Sequence, residues 1–427
     1  MRSELSRIHR ILFSAAIALA VPVSAFAQEH QHEHGATPSL FASTEGSGTA
    51  WLPATSEMYA LHRRTGQWEW MFHGNAFLQY LHEEASVHRG SSQTGSINWL
   101  MVMARRQVGT ARVGLRSMIS LEPATIGGCG YPDLLATGEL CERDSIHDRQ
   151  HQHDLLMEVA AEYDRPLRGT VRWQLYGGLA GEPALGPVAF PHRLSAMANP
   201  IAPIGHHWLD ATHITFGVVT AGVFTSRWKV EASLFNGREP DENRWDIDLD
   251  ALDSFSGRIS FAPSAALVLQ VSAGHLHDAE AGEGSLPRAD VDRVTASLTY
   301  HRRAGAGNLW ASTLAWGRND ERNLASHAFL AESSVTLAER NVWFGRVEVG
   351  TKPAHDLHAH EFTGVMTVGK VQGGYTRYLA SASGLRLGVG GVASLGFVPE
   401  ALKPHYGRRA NPGVGFFVTV RPAAHRM

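Results

Sequence analysis

Histidine is the residue type whose number and placement first suggest chemistry in this sequence. The chain has 24 histidines, and many of them fall between stretches of alternating polar and apolar residues. Neutral imidazole is a good ligand for copper and zinc, and a nearby carboxylate can orient the ring. The candidate metal ligands are His147, His151, His153, His206, His207, His355, His358 and His360. Copper or zinc ions are therefore the expected ligands, and the alternative is that polar loops simply tolerate histidine.

The spacing within these clusters suggests which histidines share an ion. Side chains two residues apart lie on the same face of a strand. His151 with His153, or His358 with His360, would then meet one metal ion. A third alternating run of histidines, within residues 30–34, is interpreted as a tail with adventitious affinity.

Alternation of polar and apolar residues dominates the chain after residue 66 and predicts an all-β fold. Residues 67–80, 227–236 and 293–300 each place apolar or aromatic side chains at every second position. Beyond the first residues no apolar run approaches the roughly 20 residues that a membrane-spanning helix needs. A soluble sandwich would alternate similarly, but aromatic residues fall near the strand ends, as interfacial girdles require. We therefore predict a closed antiparallel transmembrane β-barrel.

The connections between the predicted strands alternate between short turns and longer loops. This asymmetry is typical of outer-membrane barrels, whose short turns face the periplasm. Counting strands between the connections predicts about sixteen, an even number that places both termini on one side. The longer loops are expected at about 83–94, 122–152, 182–210, 237–252, 278–290, 318–324, 352–361 and 398–412.

The segment 181–210 is unusual for a long loop, because it is rich in proline and almost uncharged. A loop of this length and composition is expected to pack against something rather than extend into solvent. By its position and composition it resembles the third loop of sixteen-stranded general porins, which folds into the barrel and narrows the pore. We therefore predict a long inward-folding loop with a constriction at Arg193, His206, His207, Asp210 and His213.

Arginine recurs on the polar faces of the predicted strands. Arg112, Arg116 and Arg172 are predicted to face the lumen at the pore. Arginines facing one another across a lumen favour anions. The open alternative is that they pair with inward-facing carboxylates and fill the barrel.

The two ends of the chain and its two cysteines complete the predicted organisation. Residues 1–27 have the basic, apolar and small-residue regions of a signal peptide, with cleavage after Ala27. We predict a histidine-containing periplasmic segment at 28–66, the outer-membrane barrel at 67–421 and a polar tail at 422–427. Cys129 and Cys141 lie in one exported loop, which predicts a disulfide.

Other functional classes are less favoured by the residues. A net charge of -3 does not suggest a nucleic-acid partner. For a hydrolase, His213 with Asp210 and either Ser195 or Thr212 would be the nucleophile set. The chain has no Gly-x-Ser-x-Gly motif to present a serine. We therefore expect no enzyme.

Four long motifs resemble a known group of proteins. They are GLAGEPALGPVAFPHR at 178–193, HHWLDATHITFG at 206–217, DRQHQHD at 148–154 and REPDENRWD at 238–246. They resemble uncharacterised proteobacterial outer-membrane β-barrel proteins, which are porin-like and often occur in heavy-metal-resistance settings. The resemblance covers most of the chain after the signal, carries no assigned reaction and favours a role for metal ions.

Together these observations predict a porin-like channel or transport barrel in the outer membrane, for or responsive to transition-metal ions. The alternatives are a plugged metal-binding or adhesive surface barrel, and an outer-membrane hydrolase. The expected partners are outer-membrane lipid, the barrel assembly machinery, and a small solute or metal ion. The solute and the oligomeric state stay open.

Overall fold

The structure is a computed structural model that describes residues 39–86, 88–142, 144–280, 287–305 and 307–424. The predicted signal peptide, the histidine run within 30–34 and the last three residues of the tail lie outside these ranges. No helix in the described ranges is long and apolar enough to cross a membrane.

Nineteen strands and a few single helical turns make up the described chain. The strands are β1 (Leu61–Thr65), β2 (Trp68–Glu83), β3 (Ser91–Val108), β4 (Ala111–Ile119), β5 (Tyr131–Cys141), β6 (Asp144–Gln150), β7 (Leu156–Arg168), β8 (Val171–Gly181), β9 (Thr215–Phe224), β10 (Trp228–Phe235), β11 (Ser254–Ser264), β12 (Leu267–Glu280), β13 (Ala289–Arg303), β14 (Leu309–Glu321), β15 (Leu324–Leu337), β16 (Asn341–Pro353), β17 (Val365–Tyr378), β18 (Leu385–Phe397) and β19 (Ala410–Pro422). The helical turns are α1 (Glu122–Thr125), α2 (His206–Leu209) and α3 (Lys403–Tyr406), with 3₁₀ turns at Phe190–His192, Ala211–His213 and Glu400–Leu402.

Sixteen of these strands, β2–β4 and β7–β19, form one closed antiparallel sheet, as the sequence predicts. Each strand pairs with its neighbours in the chain, and β19 closes the barrel on β2. The closing register runs only from Gly413↔Glu83 to Val420↔Ala76. The first residues of β2 pair instead with β1, from Thr65↔Trp68 to Leu61↔Phe72. The wall at this seam is therefore completed by a strand that precedes the barrel.

Alternation along the strands sorts side chains between the lumen and the outer surface. On β10, Trp228, Val230 and Leu234 are exposed on the outside, whereas Lys229 and Glu231 are buried inside. The same pattern on β2 and β13 confirms the predicted faces. Not every aromatic residue of the strands belongs to an outer girdle, since Tyr176 on β8 is buried inside and its hydroxyl donates to Glu158 Oε1 at 2.6 Å.

The connections at the two ends of the barrel differ in length. We call the end with the short connections the turn end and the other the loop end. The predicted loop at 318–324 is wrong in length, because β14 and β15 are joined only by Arg322 and Asn323, both in the left-handed region.

Three segments fill the lumen. They are the N-terminal segment (39–60), the hairpin loop (120–155, containing β5 and β6) and the inserted loop (182–214). The inserted loop is almost entirely buried, which confirms its predicted inward fold. The other two were not expected inside. The hairpin loop carries the disulfide between Cys129 and Cys141, and the N-terminal segment enters from the turn end, where Thr55 Oγ1 donates to the carbonyl of His301.

Candidate metal centre

Three histidine rings meet inside the barrel where the inserted loop contacts the hairpin loop. One nitrogen from each of His151, His206 and His207 lies within 4.8 Å of the others. All three side chains are buried. Their Nε2 atoms have no hydrogen-bond partner among the described residues. Buried polar atoms are normally satisfied, so three unsatisfied ring nitrogens in one place call for a ligand between them.

The opposite nitrogen of each ring fixes its tautomer. Nδ1 of His206 donates to Asp210 Oδ1 at 2.9 Å, and Nδ1 of His207 donates to Glu239 Oε1 at 2.8 Å. Nδ1 of His151 faces the carbonyl oxygen of Gln152 at 3.1 Å. Because each acceptor is an oxygen, the proton sits on Nδ1 and the lone pair on Nε2. Carboxylates and carbonyls orient metal-binding histidines in this way.

One helical turn, α2, positions the two adjacent histidines. Its backbone is anchored to the barrel wall by Asn319 Nδ2, which donates to the carbonyl of His207 at 3.1 Å. Trp208 Nε1 donates to Ser326 Oγ at 2.8 Å. Gly138, at φ +126° on the hairpin loop, lies against the His207 ring, and a side chain there would overlap the imidazole.

The third ring, His151, comes from the extended stretch that follows β6. Its Nε2 lies 3.3 Å from Glu139 Oε1, without the geometry of a hydrogen bond. Arg244 also contacts Glu139, and it lies 3.5 Å from Asp154. A cation between the ring and the carboxylate would satisfy both, which makes Glu139 the nearest candidate for a fourth ligand.

A buried ion-pair network holds the inserted loop in place. Arg193 donates through Nη1 to Asp210 Oδ2 at 2.6 Å and through Nε to Glu332 Oε1 at 2.7 Å. Arg346 contributes a second cation, 3.1 Å from Glu332. Burial alone would raise the pKa of Asp210, but Arg193 holds it well below its usual range. Asp210 therefore stays ionised while it orients His206.

Two of the three rings, His151 and His206, are held in the neutral form that binds metals. Burial lowers the pKa of His206 to about 4, although Asp210 opposes the shift. Burial likewise lowers the pKa of His151 well below its usual range. A neutral ring needs no deprotonation before it binds a metal ion.

A cavity of about 300 Å³ at the loop end reaches the His207 ring. Among the described residues, five carboxylates and one arginine, Arg322, line it. The carboxylates are Glu139, Glu239, Glu280, Glu321 and Asp356. We call this cavity the acidic vestibule. Its charge attracts cations toward the three rings.

The remaining predicted metal ligands are not brought to these rings. His355 and His360 line the acidic vestibule, and His147 packs against His358 with 3.9 Å between ring centroids. His358 Nε2 lies 3.0 Å from the carbonyl of Ser145.

The idea that His151 and His153 share an ion is wrong, because residues 151–154 are not in a strand. Nδ1 of His153 lies 2.8 Å from Glu122 Oε1, away from the three rings. Burial lowers the pKa of His213, another ring of the predicted constriction. Its Nδ1 donates to the carbonyl of Asp210 at 2.8 Å.

The predicted lumen arginines are ion-paired. Arg112 and Arg172 both contact Asp164, at 2.9 Å for Arg112. Arg116 lies 3.1 Å from Glu158. The sequence left two interpretations of these arginines open, a lining that favours anions and pairing with inward-facing carboxylates. The structure has the paired arrangement.

Sequence reasoning missed Glu139 and Glu239. Glu239 is 32 residues from the histidine it orients, and it lies in a polar loop with no spacing signal. The nucleophile set with Ser195 that was weighed for a hydrolase does not form. Ser195 Oγ is hydrogen-bonded to Thr313 at 2.8 Å and to Glu332 at 2.9 Å.

No protein-family model matches the chain, and no curated protein matches it in sequence. Solved structures do. An anion-selective porin from Comamonas acidovorans superposes with a TM-score of 0.50 at 10% identity, over 83% of this chain and 99% of that chain. OmpF of Salmonella typhi, in complex with daunomycin, gives 0.50 at 9% identity, over 84% and 100%. Both are porins. At these identities the likeness shows the fold, and this chain has the barrel fold of outer-membrane porins.

Proposed function

We propose that this protein is a porin-like outer-membrane barrel that takes up a divalent transition-metal ion, zinc or copper, and binds it inside the lumen. His151, His206 and His207 would supply the ligands, with Glu139 beside them. The observation that carries the proposal is the convergence of three buried histidine rings: one nitrogen of each lies within 4.8 Å of the others, and each has an Nε2 without a hydrogen-bond partner among the described residues. The metal ion is the cargo of the barrel and takes part in no reaction.

The surroundings of the three rings support this assignment. Three imidazoles with one open or carboxylate position are a typical zinc set, and imidazole also suits copper. The acidic vestibule offers a negatively charged approach from the loop end. The one arginine of the inserted loop, Arg193, does not oppose a cation, because Asp210 and Glu332 neutralise it.

Zinc titration of the purified, folded barrel tests the proposal. Wild-type protein should bind Zn²⁺, and the variant H151A/H206A/H207A should bind one Zn²⁺ fewer. Co²⁺ should show the visible absorption of a low-coordinate histidine site only in the wild type. Heat-modified gel migration of both proteins shows whether the barrel is folded.

The matched control removes the half-exposed pair His275 and His277, which with Asp290 could itself hold an ion at the outer face of the barrel. H275A/H277A should keep the Zn²⁺ site that the lumen variant loses. If this control loses the ion and the lumen variant keeps it, the ion binds at the surface and the proposal fails.

A plugged metal-binding barrel is the second candidate, and one observation favours it. The N-terminal segment, the hairpin loop and the inserted loop fill much of the lumen. Liposomes containing the protein and a zinc-sensitive dye separate the two. Entry of Zn²⁺ supports uptake, whereas binding without entry supports the plugged barrel.

The location and partners of the protein follow from the same proposal. The exposed apolar band on the strands suits outer-membrane lipid. Insertion would use the barrel assembly machinery, and the predicted signal peptide would direct export. These partners are testable by fractionation of cells that express the full chain.

A further inference from the structure

Methionine is sparse in the sequence but concentrated inside the barrel. The chain has ten methionines. Six of them belong to or pack on one apolar cluster at the inner wall: Met58, Met71, Met101, Met103, Met118 and Met157. This cluster lies apart from the three-histidine site, since none of its methionines borders the acidic vestibule.

Two neighbouring strands place four of the relevant side chains in a square. Met71 on β2 is the register partner of Met103 on β3, and His73 is the register partner of Met101. These positions alternate onto the same face, which points into the lumen. Side chains directly opposite one another across an antiparallel pair have Cβ atoms about 4.5–5.5 Å apart. The register therefore builds a compact patch of three thioethers and one imidazole.

The square borders a small internal cavity of about 70 Å³. Met58 of the N-terminal segment and Met197 of the inserted loop line the same cavity. His192 also lines it, with its ring centroid 5.5 Å from that of His73. Five thioethers and two imidazoles from four parts of the chain thus line this space, together with the guanidinium of Arg116.

One nitrogen in this patch is left without a partner. Nε2 of His73 is buried and makes no hydrogen bond among the described residues. Nearby positive charge is balanced in part, since Arg116 lies 3.1 Å from Glu158 and 3.7 Å from Glu162. Thioether sulfur is a soft ligand that selects Cu⁺ over hard divalent ions.

We propose that this cavity binds a soft monovalent ion, Cu⁺ or Ag⁺, through Met71, Met101, Met103 and His73. The site is separate from the three-histidine centre and does not depend on it. The barrel would then hold two metal sites of different chemistry, one for borderline ions near the loop end and one for soft ions at the inner wall.

Silver titration of the folded protein tests this site. Ag⁺ is the probe because it needs no reductant, and both cysteines are in the disulfide and offer no thiol. The titration uses protein that carries H151A/H206A/H207A, so that the other rings cannot contribute. On this background M71L/M101L/M103L should lose one bound Ag⁺ equivalent. Silver-edge absorption spectra should lose their sulfur neighbours.

The matched control is M118L/M157L. Met118 and Met157 belong to the same cluster and are equally buried, but they do not line the cavity. Leucine conserves methionine volume, so both variants should fold, and gel migration checks this. The control should keep the Ag⁺ equivalent. Unchanged binding in M71L/M101L/M103L, or equal loss in the control, overturns the proposal.

Discussion

The two ends of the lumen differ in charge. In the part of the chain that the structure describes, five carboxylates and one arginine line the acidic vestibule at the loop end. A cavity of about 720 Å³ at the turn end has six basic side chains and three carboxylates. The six are Arg105, Arg112, Arg116, Arg172, Arg227 and Lys229.

The N-terminal segment accounts for part of this difference. It covers the basic wall at the turn end with its backbone oxygens, and Arg116 Nη1 donates to the carbonyl of Gly48 at 2.7 Å. At the loop end, by contrast, carboxylates are left facing a cavity. A cation is therefore stabilised at the loop end of the lumen and repelled at the turn end. The electrostatic potential along the lumen is thus asymmetric.

The largest expected effect on stability comes from Arg193, whose ion pairs with Asp210 and Glu332 hold the inserted loop between the two ends of the lumen. Arg193→Met would leave Asp210 and Glu332 buried with less compensation, and breaking a buried pair typically costs about 3–5 kcal/mol. The variant should unfold at a markedly lower temperature in heat-modified gel migration.

The matched control for Arg193 lies at the turn end. Arg112→Met breaks a partly exposed pair, and Asp164 keeps Arg172. A surface-like pair contributes roughly 0–1 kcal/mol, so this variant should stay close to the wild type. Equal destabilisation by both changes would show that the inserted loop is not held by Arg193.

The next largest effect is on zinc affinity at the loop end. Glu239→Ala removes the acceptor that fixes the His207 tautomer. Loss of such a partner typically lowers metal affinity about 10–100-fold, which zinc titration measures. Glu400→Ala removes an equal charge from the loop end, with a side chain that is mostly exposed, and should change little. If the two variants weaken zinc equally, the effect is one of overall charge.

The smallest effect concerns charge alone. Asp356→Asn would keep the shape of the acidic vestibule and remove one of its charges. Electrostatic focusing raises association rates by about tenfold or more at low salt. Zinc association in stopped flow should slow by up to about that factor, and the difference should shrink as salt is added. Asp164→Asn at the turn end should leave the rate unchanged.

The strand pattern was readable from the sequence because it is local. Alternation on residues 67–80, 227–236 and 293–300 assigns each side chain to a face without knowledge of any partner. The inward fold of the inserted loop was also predictable, because a long loop that is rich in proline and nearly uncharged is not expected to extend into solvent. Its burial in the structure follows from that composition.

The metal centre was only partly predictable, because its parts are distant in the chain. All three ring residues were among the eight candidates. Their grouping was not predictable, since His151 meets rings from a different loop, and its local neighbour His153 turns to Glu122. The hairpin loop is another example. The sequence predicted it only as a long loop, but Asp133 is buried against Lys370 at 2.7 Å, a contact that no local pattern reveals.

The seam of the barrel has a consequence for membrane insertion. β19 covers β2 only as far as Ala76, and β1 covers Trp68 to Phe72. Without β1 those five positions would present unpaired N–H and C=O groups, and each such group in hydrocarbon costs several kcal/mol. Release of a finished barrel into the bilayer would then wait until the preceding segment is in place. A chain shortened to begin at Trp68 would still close between β19 and β2 from Ala76 to Glu83, but its wall would have a gap beside Trp68 to Phe72.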